Sequence, residues 1–97
     1  MKKIFQLNET HKKVERQVDS IKHEINKYIA RERRKELPEK VDFWDFACRI
    51  GKTQDEAEKI HLTEMKTSID RLVAAGNLSF YVEVLTKPGV RQKKKTQ

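Results

Sequence analysis

A single cysteine, Cys48, is the only thiol in 97 residues, so no disulfide can close within the chain. A reducing cytoplasm is the expected setting. The three glycines, Gly51, Gly76 and Gly89, stand alone, which excludes a glycine-rich loop that cradles phosphates. No stretch approaches the roughly 20 consecutive apolar residues that cross a bilayer, so no membrane partner is expected. Met1-Lys2-Lys3 imitates the start of an export signal, but only Ile4-Phe5 follows before Gln6 interrupts, and secretion is not expected. His11, His23, His61 and Cys48 contain no pair at a metal-ligand spacing, so the expected metal and cofactor content is none.

What the chain has in quantity is charge. Charged residues make up 38% against 36% hydrophobic, with a net charge of +7. The distribution is uneven. Residues 1 to 40 carry 12 Lys and Arg against 7 Asp and Glu, residues 41 to 86 carry 5 against 8, and residues 87 to 97 carry 5 cations and no acid. Clustered cations gain counterion-release free energy on phosphate, which points toward a polyanionic partner.

Ninety-seven residues make one domain near the lower end of what folds without metal or disulfide support. Residues 1–88 are read as a single α+β domain and 89–97 as a flexible basic tail. Lys3 to Leu7 reads as a first strand. Thr10 can cap a helix running to Glu36, in which Val14, Val18, Ile21, Ile25, Tyr28 and Ile29 form one stripe. Pro38 disfavours helix at Leu37 and ends it. Asp42 to Ile50 alternates, with Trp44, Phe46, Cys48 and Ile50 on the inward face. Gly51 to Asp55 is turn material, and Ala57 to Leu62 places Ile60 and Leu62 inward, Lys59 and His61 outward. A helix from Asp55 would point Ile60 away from the stripe of Met65, Ile69, Leu72 and Val73, so a helix capped by Thr63 and closed by Gly76 is preferred. Leu78 to Thr86 is the last strand, with Leu78, Phe80, Val82 and Val84 inward until Pro88-Gly89 ends the pairing. The order strand, helix, strand, strand, helix, strand predicts a ferredoxin-like sandwich, a four-stranded antiparallel sheet with both helices on one face.

A helix from Thr10 to Glu36 would be roughly 39 Å long, more than strands of this length cover. The expectation is an overhang that carries Arg31, Arg33, Arg34 and Lys35 beyond the sheet. With Arg16 and Lys27 on the helix side away from the core, and Lys93, Lys94 and Lys95 in the tail, these form the candidate phosphate-contacting set. The plain alternative is a solvated helix face whose last-turn cations offset the helix dipole, worth about 0.3 to 1 kcal/mol. The outward sheet face should show Asp45, Arg49, Lys59, His61, Tyr81 and Glu83. In simple register Asp45 would lie opposite His61 and orient its imidazole, yet no nucleophile accompanies them, and no catalytic residue is assigned. Only Phe43 and Tyr81 could stack bases on that face, unlike an RNA-recognition motif.

The strings Lys22-His23-Glu24-Ile25, Lys27-Tyr28, Arg31-Glu32-Arg33, Leu37-Pro38, Val41-Asp42-Phe43-Trp44-Asp45-Phe46, Ser79-Phe80-Tyr81-Val82-Glu83 and Lys87-Pro88-Gly89 resemble a family of small bacterial proteins of about this length. The resemblance covers nearly the whole chain. It implies a small bacterial cytosolic protein of a domain type with unknown function, and it transfers no functional residue. Composition and placement together predict a non-catalytic binding domain for nucleic acid, RNA or ribonucleoprotein before duplex DNA. The alternative is a protein interaction module, or a homodimer, docking on an acidic partner.

Overall fold

The computed structural model describes residues 1–91. In chain order it contains β1 (Lys2–Gln6), α1 (Val14–Arg33), β2 (Phe43–Gly51), β3 (Glu58–Ile60), a 3-10 turn (Leu62–Glu64), α2 (Met65–Ala74) and β4 (Ser79–Gly89). Four antiparallel strands form one sheet beside two helices, an α+β fold. The strand order is β1-β4-β2-β3, with every pairing antiparallel. A ferredoxin-like sheet, likewise antiparallel, instead sets its first and third strands side by side at the centre, so the ferredoxin-like strand order is not the one found. The two longest strands, β2 and β4, pair from Phe43↔Gly89 to Gly51↔Tyr81 and take the centre. The short strands are left at the edges and cover only part of β4 and β2.

One apolar cluster joins the layers. Phe5, Phe46, Cys48, Ile50, Phe80, Val82 and Val84 from the sheet meet Val18, Ile21, Ile25 and Ile29 of α1 and Met65 and Ile69 of α2. Both helices therefore cover the same sheet face. Phe80, Ile69, Val82 and Val84 are fully buried, each contributing about 1.5 to 3 kcal/mol of hydrophobic transfer. Trp44 packs at the margin, half-buried, and its indole Nε1–H donates to the Lys35 carbonyl at 2.9 Å. Leu78, expected inward, is 65% exposed, because it belongs to the connection before β4 and offers its carbonyl to the Leu7 N–H at 2.7 Å.

The first helix starts later than Thr10. Gln17 is buried, exchanges hydrogen bonds with the Glu9 backbone and donates to the Lys12 carbonyl, closing residues 9 to 12 into a turn that the helix cannot absorb. At 20 residues α1 is roughly 30 Å long, no longer than the central strands. The overhang is therefore absent. Burial continues past Ile29 to Glu32, whose carboxylate accepts from Thr86 Oγ1 of β4 at 2.9 Å. The basic end of α1 lies on the sheet.

The third strand stops at Ile60, and His61 rather than Thr63 caps the 3-10 turn that leads into α2. Its Nδ1 accepts the Thr63 N–H, while Glu64 accepts the His61 N–H. The end of α2 is a Schellman arrangement: Gly76 N–H donates to the Val73 carbonyl and Asn77 N–H to the Leu72 carbonyl, with Gly76 at φ +91°. The last strand continues through Pro88 to Gly89 instead of ending before them. Val84 donates its N–H to Met1, so even-numbered residues of β4 turn their backbone groups toward the β1 side. Pro88 shares that parity and β1 does not reach it, so its missing N–H costs the ladder nothing. Gly89 belongs to the strand rather than to a tail, and the Phe43 ring lies over it.

Candidate functional site

The pitch of α1 sets Arg16, His23, Lys27 and Arg34 within a stripe about 40° wide, opposite the buried Val18, Ile21, Ile25, Ile29 and Glu32. Arg31, Tyr28 and Glu24 occupy the flank of that stripe that turns toward the start of β1. Between this flank and Met1 runs an open groove of about 630 Å³, lined by Met1, Glu24, Lys27, Tyr28, Arg31 and Arg34. The Arg31 guanidinium carbon sits 5.5 Å from the centre of the Tyr28 ring. Tyr28 is itself fixed by the Met1 amine, which donates to its hydroxyl at 3.1 Å and to the Val84 carbonyl at 2.7 Å.

The groove's electrostatics are lopsided. Its one carboxylate, Glu24, is engaged by Lys3 at 2.7 Å. Among the described residues Lys27, Arg31, Arg34 and Arg16 make no ion pair, so their charges face solvent unopposed. The other two cations of the predicted cluster are occupied elsewhere. Lys35 binds Glu32 at 2.7 Å. Those bonds from Lys35 and Thr86 hold the Glu32 carboxyl below its ordinary pKa. Arg33 lies on the opposite flank of α1, its guanidinium 5.5 Å from the Phe46 ring centre. Lys93, Lys94 and Lys95 fall outside the described residues.

On the other sheet face the predicted set divides. Tyr81 and Glu83 point away from the helices as expected, yet both are buried, at 3% and 7% exposure. Tyr81 donates to Glu83 Oε1 at 2.7 Å, and burial first, then the bond to Glu83 and its charge, raises the phenol pKa. Arg49 Nη1 stands 3.7 Å from Glu83, and Nη2 donates to the Ala57 carbonyl at 2.8 Å, which pins the turn between β2 and β3. This cluster holds a turn and offers no free acid or base.

Asp45 and His61 do not meet. The register Cys48↔Ile60 places His61 level with Ala47, and each group is committed locally. Asp45 Oδ1 accepts the Phe46 N–H at 2.8 Å and its other oxygen lies 3.9 Å from Lys87, while the His61 ring is a cap. Lys59 is exposed beside them and makes no ion pair among the described residues. Among the described residues no group of three His, Cys, Asp or Glu side chains could hold a metal ion. Cys48 is 2% exposed and its thiol pKa is raised by burial and by Asp45, so it acts as an apolar filler. No helix of the described residues is long and apolar enough to cross a membrane.

Apolar periodicity placed Tyr28 in the core stripe and overlooked Glu32. Glu32 continues the spacing of Ile25 and Ile29 by three more residues, so the stripe could have been extended through a polar residue. Comparison with the curated proteins and with the solved structures returns no match. Comparison with protein families does return one, over residues 1–96, and the chain belongs to that family, a family of unknown function (DUF6172).

Proposed function

We propose that this chain is a small non-catalytic binding domain whose partner is nucleic acid, RNA or ribonucleoprotein before duplex DNA. The observation that supports this most is the groove of Lys27, Arg31 and Arg34, three cations converging beside β1 that have no carboxylate partner among the described residues. Arg16 extends the same line of charge along α1. Phosphate oxygens are the groups such a surface attracts, and guanidinium planes beside an aromatic ring can stack on unpaired bases, which favours a single strand. Arg33 and Lys35 drop out of the phosphate-contacting set, since one lies on Phe46 and the other on Glu32.

Fluorescence polarisation with a labelled single-stranded RNA tests the reading. Three phosphate contacts give a slope of log K against log salt of roughly −2 on a single strand. The double variant Arg31→Glu/Arg34→Glu should lose at least tenfold in affinity while keeping its circular dichroism. No binding by the wild type at low salt, or equal binding by the variant, removes the proposal. The second reading, a protein interaction module, draws on the sheet face away from the helices, where Ile4, Phe43 and Leu85 are 59%, 38% and 39% exposed. A mass that rises with concentration in analytical ultracentrifugation would favour self-association through it.

A further inference from the structure

The central strand β2 is longer than the partner on its outer side. β4 turns the backbone groups of its odd residues toward β2, and in register the odd residues of β2 answer them. Trp44, Phe46, Cys48 and Ile50 therefore point their N–H and C=O groups toward β3. That strand holds only Glu58–Ile60 and covers Cys48 to Ile50. From Phe43 to Ala47 no described strand lies on this outer side of β2, although β4 pairs with it on the other. The Phe46 N–H is met by Asp45 Oδ1, and the Trp44 backbone faces an open groove of about 560 Å³. Trp44, Phe46 and Leu62 give that groove an apolar side below the helices, and Arg33, Lys59 and Lys87 stand around it.

We propose that an extended acidic segment of a partner protein adds to β2 in this slot, as a short strand in line with β3. Strand addition satisfies the idle edge groups, and alternate side chains of the incoming segment reach the two faces of the sheet. One set lies over Trp44, Phe46 and Leu62. The other set meets Lys59 and Lys87. The charges left over set the chemistry of the partner: of the groove's two carboxylates, Asp45 is taken by the Phe46 N–H and Lys87, and Glu64 by the His61 N–H. Arg33 and Lys59 have no carboxylate partner among the described residues, so acidic groups on the entering strand complement them. The slot uses a different surface from the Lys27, Arg31 and Arg34 groove and stands or falls apart from it.

The test is an NMR titration of the full chain with the peptide acetyl-Glu-Val-Glu-Val-Glu-amide and two N-methylated forms, one methylated at the glutamates and one at the valines. Saturable shifts are expected at the Trp44 and Phe46 amides and the Trp44 indole. Only one methylated form should lose binding, because only one set of peptide N–H groups faces β2. Lys59→Glu should weaken the unmethylated peptide at least tenfold, whereas Asp45→Ala, which frees the Phe46 N–H and removes a carboxylate, should tighten it several-fold. No response to the peptide, an equal response to the two methylated forms, or shifts centred on Lys27, Arg31 and Arg34 overturns the proposal.

Discussion

Replacing Trp44 separates two contributions that the fold combines at one side chain. The indole N–H reaches the Lys35 carbonyl at 2.9 Å, and its ring packs against the core margin beneath the end of α1. Trp44→Phe keeps most of the packing and deletes the hydrogen bond. Since the Lys35 carbonyl is exposed and can turn to water, the loss should be about 0.5 to 1.5 kcal/mol. Trp44→Ala removes the ring as well. A fully buried Trp would cost about 3 to 5 kcal/mol, but this one keeps part of its surface in water, so about 2 to 4 kcal/mol is expected. Urea denaturation followed by circular dichroism reads both, because the only Trp is lost in each variant. A Trp44→Ala loss below about 1 kcal/mol would mean that the ring is not packed on the core and would refute the link between β2 and the end of α1. Equal losses for the two variants would assign the whole effect to the hydrogen bond.

Gly76→Ala should cost about 1 kcal/mol in the same denaturation assay, because an added Cβ meets nothing within 4 Å and the cost is purely that of φ +91°. A neutral result would show that α2 ends differently. His61→Ala should lose about 0.5 to 1 kcal/mol, since it removes the acceptor of the Thr63 N–H, a larger effect than an idle surface histidine would give. Glu32 titrates below its ordinary value of 4.5 in the fold, so the stability it contributes is complete above that value and is lost as pH falls through the folded pKa. The melting temperature of the wild type should therefore fall more steeply below pH 4.5 than that of Glu32→Gln, and parallel curves would refute the bonds from Lys35 and Thr86.

Local pattern was enough to specify the type and order of the elements and the faces of the two central strands. Phe46, Cys48 and Ile50, then Phe80, Val82 and Val84, alternate because a pleated strand sends neighbours to opposite sides, and all six are buried where that pattern puts them. Gly76 marked the end of α2 for an equally local reason, since its positive φ excludes most other residues. Whatever depends on which segments meet was left to the tertiary fold. Strand order is one case: local alternation reads the same whether β1 and β3 or, as found, β4 and β2 hold the centre of the sheet. The division of the basic cluster is another. Arg31 and Arg34 face a groove, Lys35 binds Glu32 and Arg33 rests on Phe46, although all four sit in one run of five residues. A helix turns each successive residue by 100°, so neighbours in sequence are sent to different surroundings, and what waits in each direction is supplied by the sheet.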